Sequence, residues 1–234
     1  MRFMQRAVRA LTVGAGLGVA AYLVSAGIAW RRFGNVKNPA DEECDPLLDQ
    51  FMPIYEISER HHILIAASSE LTFSAACEMD LNQSGLIASI FRARELILRA
   101  RPSGEHRHGP LLAQMKALGW SVLAESRDRE IVMGAVTQPW MADAVFRAVP
   151  PDQFAAFREP GYVKIAWSLR ADPIAPGASI ARTETRVITC DPDSHDKFRR
   201  YWSFLSPGIV IIRKIALRMV KHEAERCAQR PTLQ

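Results

Sequence analysis

The stretch Ile180-Ala-Arg-Thr-Glu-Thr-Arg-Val-Ile-Thr-Cys190, then Asp191-Pro192-Asp193, then Lys197-Phe-Arg-Arg-Tyr-Trp-Ser-Phe-Leu-Ser-Pro-Gly-Ile-Val-Ile-Ile-Arg213, decides the fold. Its first part alternates, and its last part repeats apolar residues at threes and fours as far as Cys227. The period changes from ~2 to ~3.6 residues across one short turn, so a last strand feeds a long closing helix. Asp191 is placed to cap that helix, with Pro192 at its first position. Phe198, Trp202, Leu205, Ile209, Ile212, Ala216 and Met219 form its predicted buried stripe, and Pro207-Gly208 is expected to kink or split it.

Working outward, Gly161 to Ala171 alternates, with Val163, Ile165, Trp167 and Leu169 on one side and Tyr162, Lys164, Ser168 and Arg170 on the other. Trp120 to Glu125 and Glu130 to Gln138 read as a hairpin. Met52 to Ala67 reads as the first strand, with Tyr55, Ile57, His61, Ile63 and Ile65 opposite Glu56, Ser58, Arg60 and His62. Helices are predicted over 70–79, 85–98 and 111–118, with 99–110 a surface loop. Successive strands joined by short turns imply antiparallel pairing. The fold class is α+β: a curved antiparallel sheet wrapped around a long C-terminal helix, preceded by an N-terminal transmembrane helix.

The 234 residues, 48% hydrophobic and 24% charged, suit one sizeable domain plus a terminal element. Arg2, Arg6 and Arg9 precede an uncharged run over 10–30, and Arg31, Arg32 and Lys37 follow it. At ~1.5 Å per residue such a run crosses the ~30 Å core of a bilayer. A cleaved signal peptide is the other reading, with Val24-Ser-Ala26 or Gly27-Ile-Ala29 as the cleavage motif. The division is a basic N-terminus at 1–9, a transmembrane anchor or signal peptide at 10–30, a tether at 31–51, the folded domain at 52–228 and a tail at 229–234. The expected localisation is single-pass membrane, with sidedness undetermined because basic residues flank the run equally.

A net charge of +5 and the lack of a basic-aromatic platform argue against nucleic acid. The four cysteines form no C-x-x-C pair, and no metal or cofactor is implied. No G-x-S-x-G elbow, H-E-x-x-H pair or Gly-rich phosphate loop follows a strand, and no catalytic residue is assigned. His61 and His62 are adjacent on a strand, so they face opposite sides and cannot share one metal. Arg182, Glu184 and Arg186 share a face and read as a solvent-exposed charge ladder; the alternative turns Glu184 and Arg186 into a cavity mouth.

Three segments carry a family likeness. Tyr55-Glu-Ile-Ser-Glu-Arg-His-His-Ile-Leu-Ile-Ala-Ala-Ser-Ser-Glu, Arg182-Thr-Glu-Thr-Arg-Val and Phe198-Arg-Arg-Tyr-Trp resemble the opening strand, closing strand and closing helix of the SRPBCC helix-grip superfamily of START, birch-pollen-allergen and polyketide-cyclase-like domains. The resemblance covers about residues 53 to 228 and implies a cavity between sheet and C-terminal helix that often holds an apolar ligand. The expected pocket residues are His61, Val163, Ile165, Trp167, Thr183, Thr185, Trp202, Leu205 and Ile209, with the two threonines as orienting polar groups. The first functional reading is a membrane-tethered domain that binds an apolar small molecule or lipid without turning it over. The second is a cyclase- or hydrolase-type enzyme using His61 or Glu184 as general acid or base. The third is an interaction module that docks on a protein or anionic lipid through Arg199, Arg200, Arg213, Lys214, Arg218 and Lys221.

Overall fold

A computed structural model describes residues 18, 20–101 and 108–230. Its sheet runs in the order β1 (Ile57–Ile65), β6 (Ala178–Thr189), β5 (Val163–Ala175), β3 (Glu130–Thr137) and β2 (Ser121–Ser126). All neighbours are antiparallel, and the two-residue β4 (Phe146–Arg147) pairs with β3. The helices are α1 (20–32), α2 (Pro46–Asp49), α3 (Ser69–Glu78), α4 (Gly85–Leu98), α5 (Leu111–Ala117), α6 (Pro151–Phe154) and α7 (Pro192–Ala228). The result is the helix-grip arrangement, an antiparallel sheet closed on one face by the long α7.

Local chemistry sets the boundaries. The Asp191 carboxylate accepts from the Ser194 N–H at 2.9 Å and Pro192 follows it, so α7 starts where its first free donors are satisfied. Ser68 caps α3, and Thr72 on α3 meets Ser179 of β6 hydroxyl to hydroxyl at 2.8 Å. The expected turn over 172–177 is shorter: β5 runs on to Ala175 through a register shift at Pro173, and Pro176-Gly177 makes the turn. Proline has no N–H to give to a ladder, and the irregularity accommodates that.

α7 is one helix through Pro207, so the expected split does not occur. Gly208 explains how α4 comes close: a Cβ there would stand 3.1 Å from the Ile90 methyl. The predicted stripe holds for Phe198, Trp202 and Ile209. Beyond them the sheet-facing positions are Arg213, Leu217, Val220 and Ala224, in place of Ile212, Ala216 and Met219. At ~100° per residue Arg213 lies ~20° around the helix from Trp202 and Ile212 ~80°, so the contact line takes Arg213. Leu205 is half-buried and belongs to neither apolar cluster under α7.

Both faces of the sheet are covered, which the sequence reading did not anticipate. Against α7 lie two apolar clusters, one around Trp167, Leu169, Leu217 and Val220, the other around Val163, Val187, Phe198 and Trp202. The far face carries a third, with Leu48, Met52, Val132, Val136, Phe154 and Ala166. Gly134 admits it, since a Cβ there would lie 2.6 Å from Phe154 and Leu123. The supposed tether at 31–51 is therefore, from Asp41 onward, a strap seated on the sheet, with Asp45 and Leu48 buried. Its sequence signal is the cap Asp45-Pro46 ahead of Leu47-Leu48; the Asp45 carboxylate accepts from the Leu48 N–H at 2.9 Å.

The expected membrane segment at 10–30 lies partly outside the described residues. Among the described residues no helix is long and apolar enough to cross a membrane. α1 rests on the first half of α7: Tyr22 donates to the Phe204 carbonyl, and Phe33 is buried against Phe198. Arg199, expected to face outward, lies 4.2 Å over the Trp30 ring.

A tether and a strap respond differently to truncation. Leu48→Ala should destabilise the domain by ~2–5 kcal/mol, the range for a buried leucine, whereas exposed Arg200→Ala should stay within ~0.5 kcal/mol. Urea unfolding of both variants checks this; equal midpoints would return residues 41–51 to the role of a tether.

Candidate functional site

The alternation of β1 and β6 sends Glu59, His61, Thr183 and Thr185 toward α7, because His61 pairs with Thr183 and Glu59 with Thr185 in the antiparallel register. Ile57 and Val187 lie on one side of this polar row, and Ile63 and Ala181 on the other. On α7 the matching position is Arg213, one turn from both Ile209 and Leu217. A polar belt thus separates the two apolar clusters under the helix.

The belt is incompletely bonded. Arg213 Nη1 donates to Thr183 Oγ1 at 2.9 Å. Arg213 Nε, Thr185 Oγ1 and His61 Nε2 are buried without a hydrogen-bond partner. His61 Nε2 stands 3.5 Å from a Glu59 carboxylate oxygen, too far and too poorly placed to satisfy it. Burial pushes Arg213 down to about 10, with the Glu59 carboxylate opposing. A buried polar atom without a partner costs ~1–3 kcal/mol, and native proteins keep few.

The structure brings together part of the expected pocket. Val163, Ile165, Trp202 and Ile209 meet in one cluster and Trp167 in the other, with His61, Thr183 and Thr185 in the belt between. The walls are in contact: Trp167 and Trp202 are each 6% exposed. Of two clefts, one of about 20 Å³, enough for a single water, opens among Glu43, Asp45, Arg170, Arg182 and Glu184 and is lined also by His61 and Thr183 of the expected pocket. The other, of about 370 Å³, is an open trough between Ser68–Glu70 and the turn at 173–177. Arg213 escaped the sequence reading because an arginine inside an apolar stripe was assigned to the outward side. Its spacing of four from both Ile209 and Leu217 was the available signal.

The far face corrects the charge-ladder reading. Glu184 and Arg186 are 4% and 1% exposed, beneath the strap, and neither turns toward α7. Arg186 donates to Glu184 at 2.7 Å, to Asp49 and to the Met52 carbonyl at 2.9 Å, and lies 4.5 Å from the Tyr55 ring centre. Glu184 also accepts from Ser58 at 2.8 Å and pairs with Arg60 at 2.9 Å. Ser168 donates to Asp45, and Arg170 reaches the Cys44 carbonyl at 2.8 Å. Lys164 donates to the Phe154 and Ala155 carbonyls, and burial pushes it down to about 8. Lys164 thus ties β5 to α6 and Glu184 ties β6 to β1, and Glu184 lies on the face of β6 away from α7. Among the described residues no group of His, Cys, Asp and Glu could hold a metal ion.

No family model and no curated protein matches the chain. Solved structures do. Truncated norcoclaurine synthase from Thalictrum flavum aligns at 8% identity and a TM-score of 0.36, over 74% of this chain and 94% of that one. Zhui aromatase/cyclase from Streptomyces sp. R1128 aligns at 12% identity and 0.31, over 75% and 98%. A conserved protein from Geobacillus kaustophilus aligns at 10% identity and 0.35, over 73% and 96%. Likeness at this level carries no argument about superfamily, substrate or reaction. The class of the chain, a helix-grip α+β domain, rests on its own topology.

Two measurements probe the two faces. Thr183→Val leaves Arg213 Nη1 without its acceptor and should cost ~1.5–3 kcal/mol, whereas Thr185→Val removes a bare hydroxyl and should be neutral or stabilising. Urea midpoints in the reverse order would contradict the belt geometry. On the far face, burial and then the neighbouring Asp45 carboxyl push Glu130 up to about 8 from its ordinary 4.5, with Arg170 opposing. The folded chain then holds a proton that the unfolded chain releases, so this contribution is full below about pH 4.5 and is lost as pH rises through about 8. Glu130→Gln keeps the neutral shape, so its midpoint should gain on wild type as pH rises between 5 and 8. Parallel pH profiles would show Glu130 ionised throughout.

Proposed function

We propose that this chain is a helix-grip domain that takes up a small molecule with an apolar body between the sheet and α7 and does not turn it over. The observation that supports it most is the polar belt: three buried atoms on three elements, unpartnered, between two apolar clusters. Such a site combines area to bury, at roughly 25 cal/mol per Å² before the costs of binding, with a few groups that fix orientation. Uptake requires α7 to shift from the sheet. Pro207 removes one backbone hydrogen bond in the middle of that helix, which makes a bend there less costly. Membrane association through residues 10–30 belongs to the same proposal; the outward side of α1, with Leu23, Val24 and Ile28, is exposed and uncharged.

The test is native mass spectrometry of the full chain prepared separately from the membrane and soluble fractions of expressing cells. The expected result is protein in the membrane fraction carrying an apolar adduct that Trp202→Phe retains and Ile209→Trp, which fills the space under α7, loses. Protein confined to the soluble fraction would sink the anchor. A chain without any adduct that also fails to bind an environment-sensitive apolar dye would sink the ligand site. A bound mass that changes with time would favour the enzyme reading, with His61 and Glu59, at 3.5 Å, as its acid–base pair.

A further inference from the structure

Arginines in this protein differ in their partners, and Arg94, Arg158 and Arg199 bond to carbonyls or a tyrosine hydroxyl. On the far face Arg60, Arg170, Arg182 and Arg186 each stand within 3.1 Å of a carboxylate oxygen. Arg213 differs: among the described residues no carboxylate comes within ion-pair distance, and its one hydrogen bond goes to the neutral Thr183 hydroxyl. Its Nε points into the helix–sheet interface with no acceptor. Arg213 is half-buried, and its desolvation is opposed by the field of the Glu59 carboxylate but by no direct ion pair.

Thr185 Oγ1 carries a proton to donate, and His61 Nε2 donates in the tautomer or charge state that holds a proton there. Arg213 Nε on α7 can only donate, whereas Thr185 Oγ1 on β6 and His61 Nε2 on β1 can donate or accept, and none of the three has a partner. Glu59 is the acid that faces this group. It stands on β1 with its side chain 27% exposed and 3.5 Å from His61, and it acts on Arg213 through its field and not through a direct contact.

We infer that the molecule taken up under α7 carries a carboxylate head on its apolar body, and that Arg213, Thr185 and His61 receive that head. This rests on the ligand-binding reading above. The arginine fork matches the two oxygens of a carboxylate, and the flanking clusters around Trp167 and Leu217 and around Val187 and Trp202 accept the body. Ester or alcohol heads offer the same shape without the charge that Arg213 lacks.

The experiment displaces an apolar dye from the full chain with two matched sets: palmitate, methyl palmitate and hexadecanol, then 2-naphthoate, its methyl ester and 2-naphthol. In wild type at least one acid should displace the dye roughly ten-fold better than its neutral partners, the size of one charge-assisted bond. Arg213→Met keeps the stem and removes the charge; it should abolish that preference while leaving the dye and the esters within about two-fold. Arg213→Lys, which retains charge without the fork, should restore part of the preference. Thermal melts verify that Arg213→Met is folded, and removing an unpaired buried cation should not lower its midpoint. If acids displace the dye no better than esters and alcohols, or if Arg213→Met keeps the preference, the carboxylate head is overturned while the ligand site stands. If the dye itself never binds, both readings fall together.

Discussion

Arg186 sits at the middle of the sheet with 1% of its surface exposed, and the far face is built around it. Its guanidinium holds Glu184 on its own strand, Asp49 and the Met52 carbonyl on the strap, and the face of Tyr55 at the end of the strap. Glu184 in turn ties in Ser58 and Arg60 of β1. Such a cluster is stable only when complete, because loss of one partner leaves a charge buried without compensation. This requirement turns residues 41–51 from a connector into part of the domain. It also makes β6 a strand that is buried on both sides.

The other side of β6 answers to a different constraint. There Thr183 and Thr185 face α7, and the helix must place Arg213 beside them. Two apolar clusters, held apart by this belt, carry the hydrophobic contact between sheet and helix. The same strand thus has a far face whose charges are paired and an α7 face whose charge is not. The two sides also differ in burial: Glu184 and Arg186 are buried, whereas Arg213 and His61 are half-buried. Gly208 and Pro207 lie about one and a half turns before Arg213; the first lets α4 approach and the second interrupts the backbone ladder.

Much of this was legible in the residues. Periodicity located the strands that matter and both ends of α7, since Asp191-Pro192 is a cap and a first-turn proline whatever the fold around it. Alternation assigned His61, Thr183 and Thr185 to the α7 face and Glu184 and Arg186 to the opposite one, because side chains on a strand have no other choice. What alternation does not specify is whether a polar face meets water. Arg182-Thr-Glu-Thr-Arg186 reads equally well as an exposed ladder and as a buried network, and the difference lies in a strap more than 130 residues away in sequence, from Asp49 to Arg186.

The sequence by itself determined the α+β order, the antiparallel pairing and the facing of β6, because these follow from local sterics and from periods carried by neighbouring residues. Only the tertiary structure decided three things: that 41–51 closes the far face, that the contact line on α7 moves from Ile212 to Arg213, and that Arg213 is left without a carboxylate. Each depends on groups distant in sequence that compete for one place. Which charge is paired and which remains open is a property of packing, not of any segment read alone.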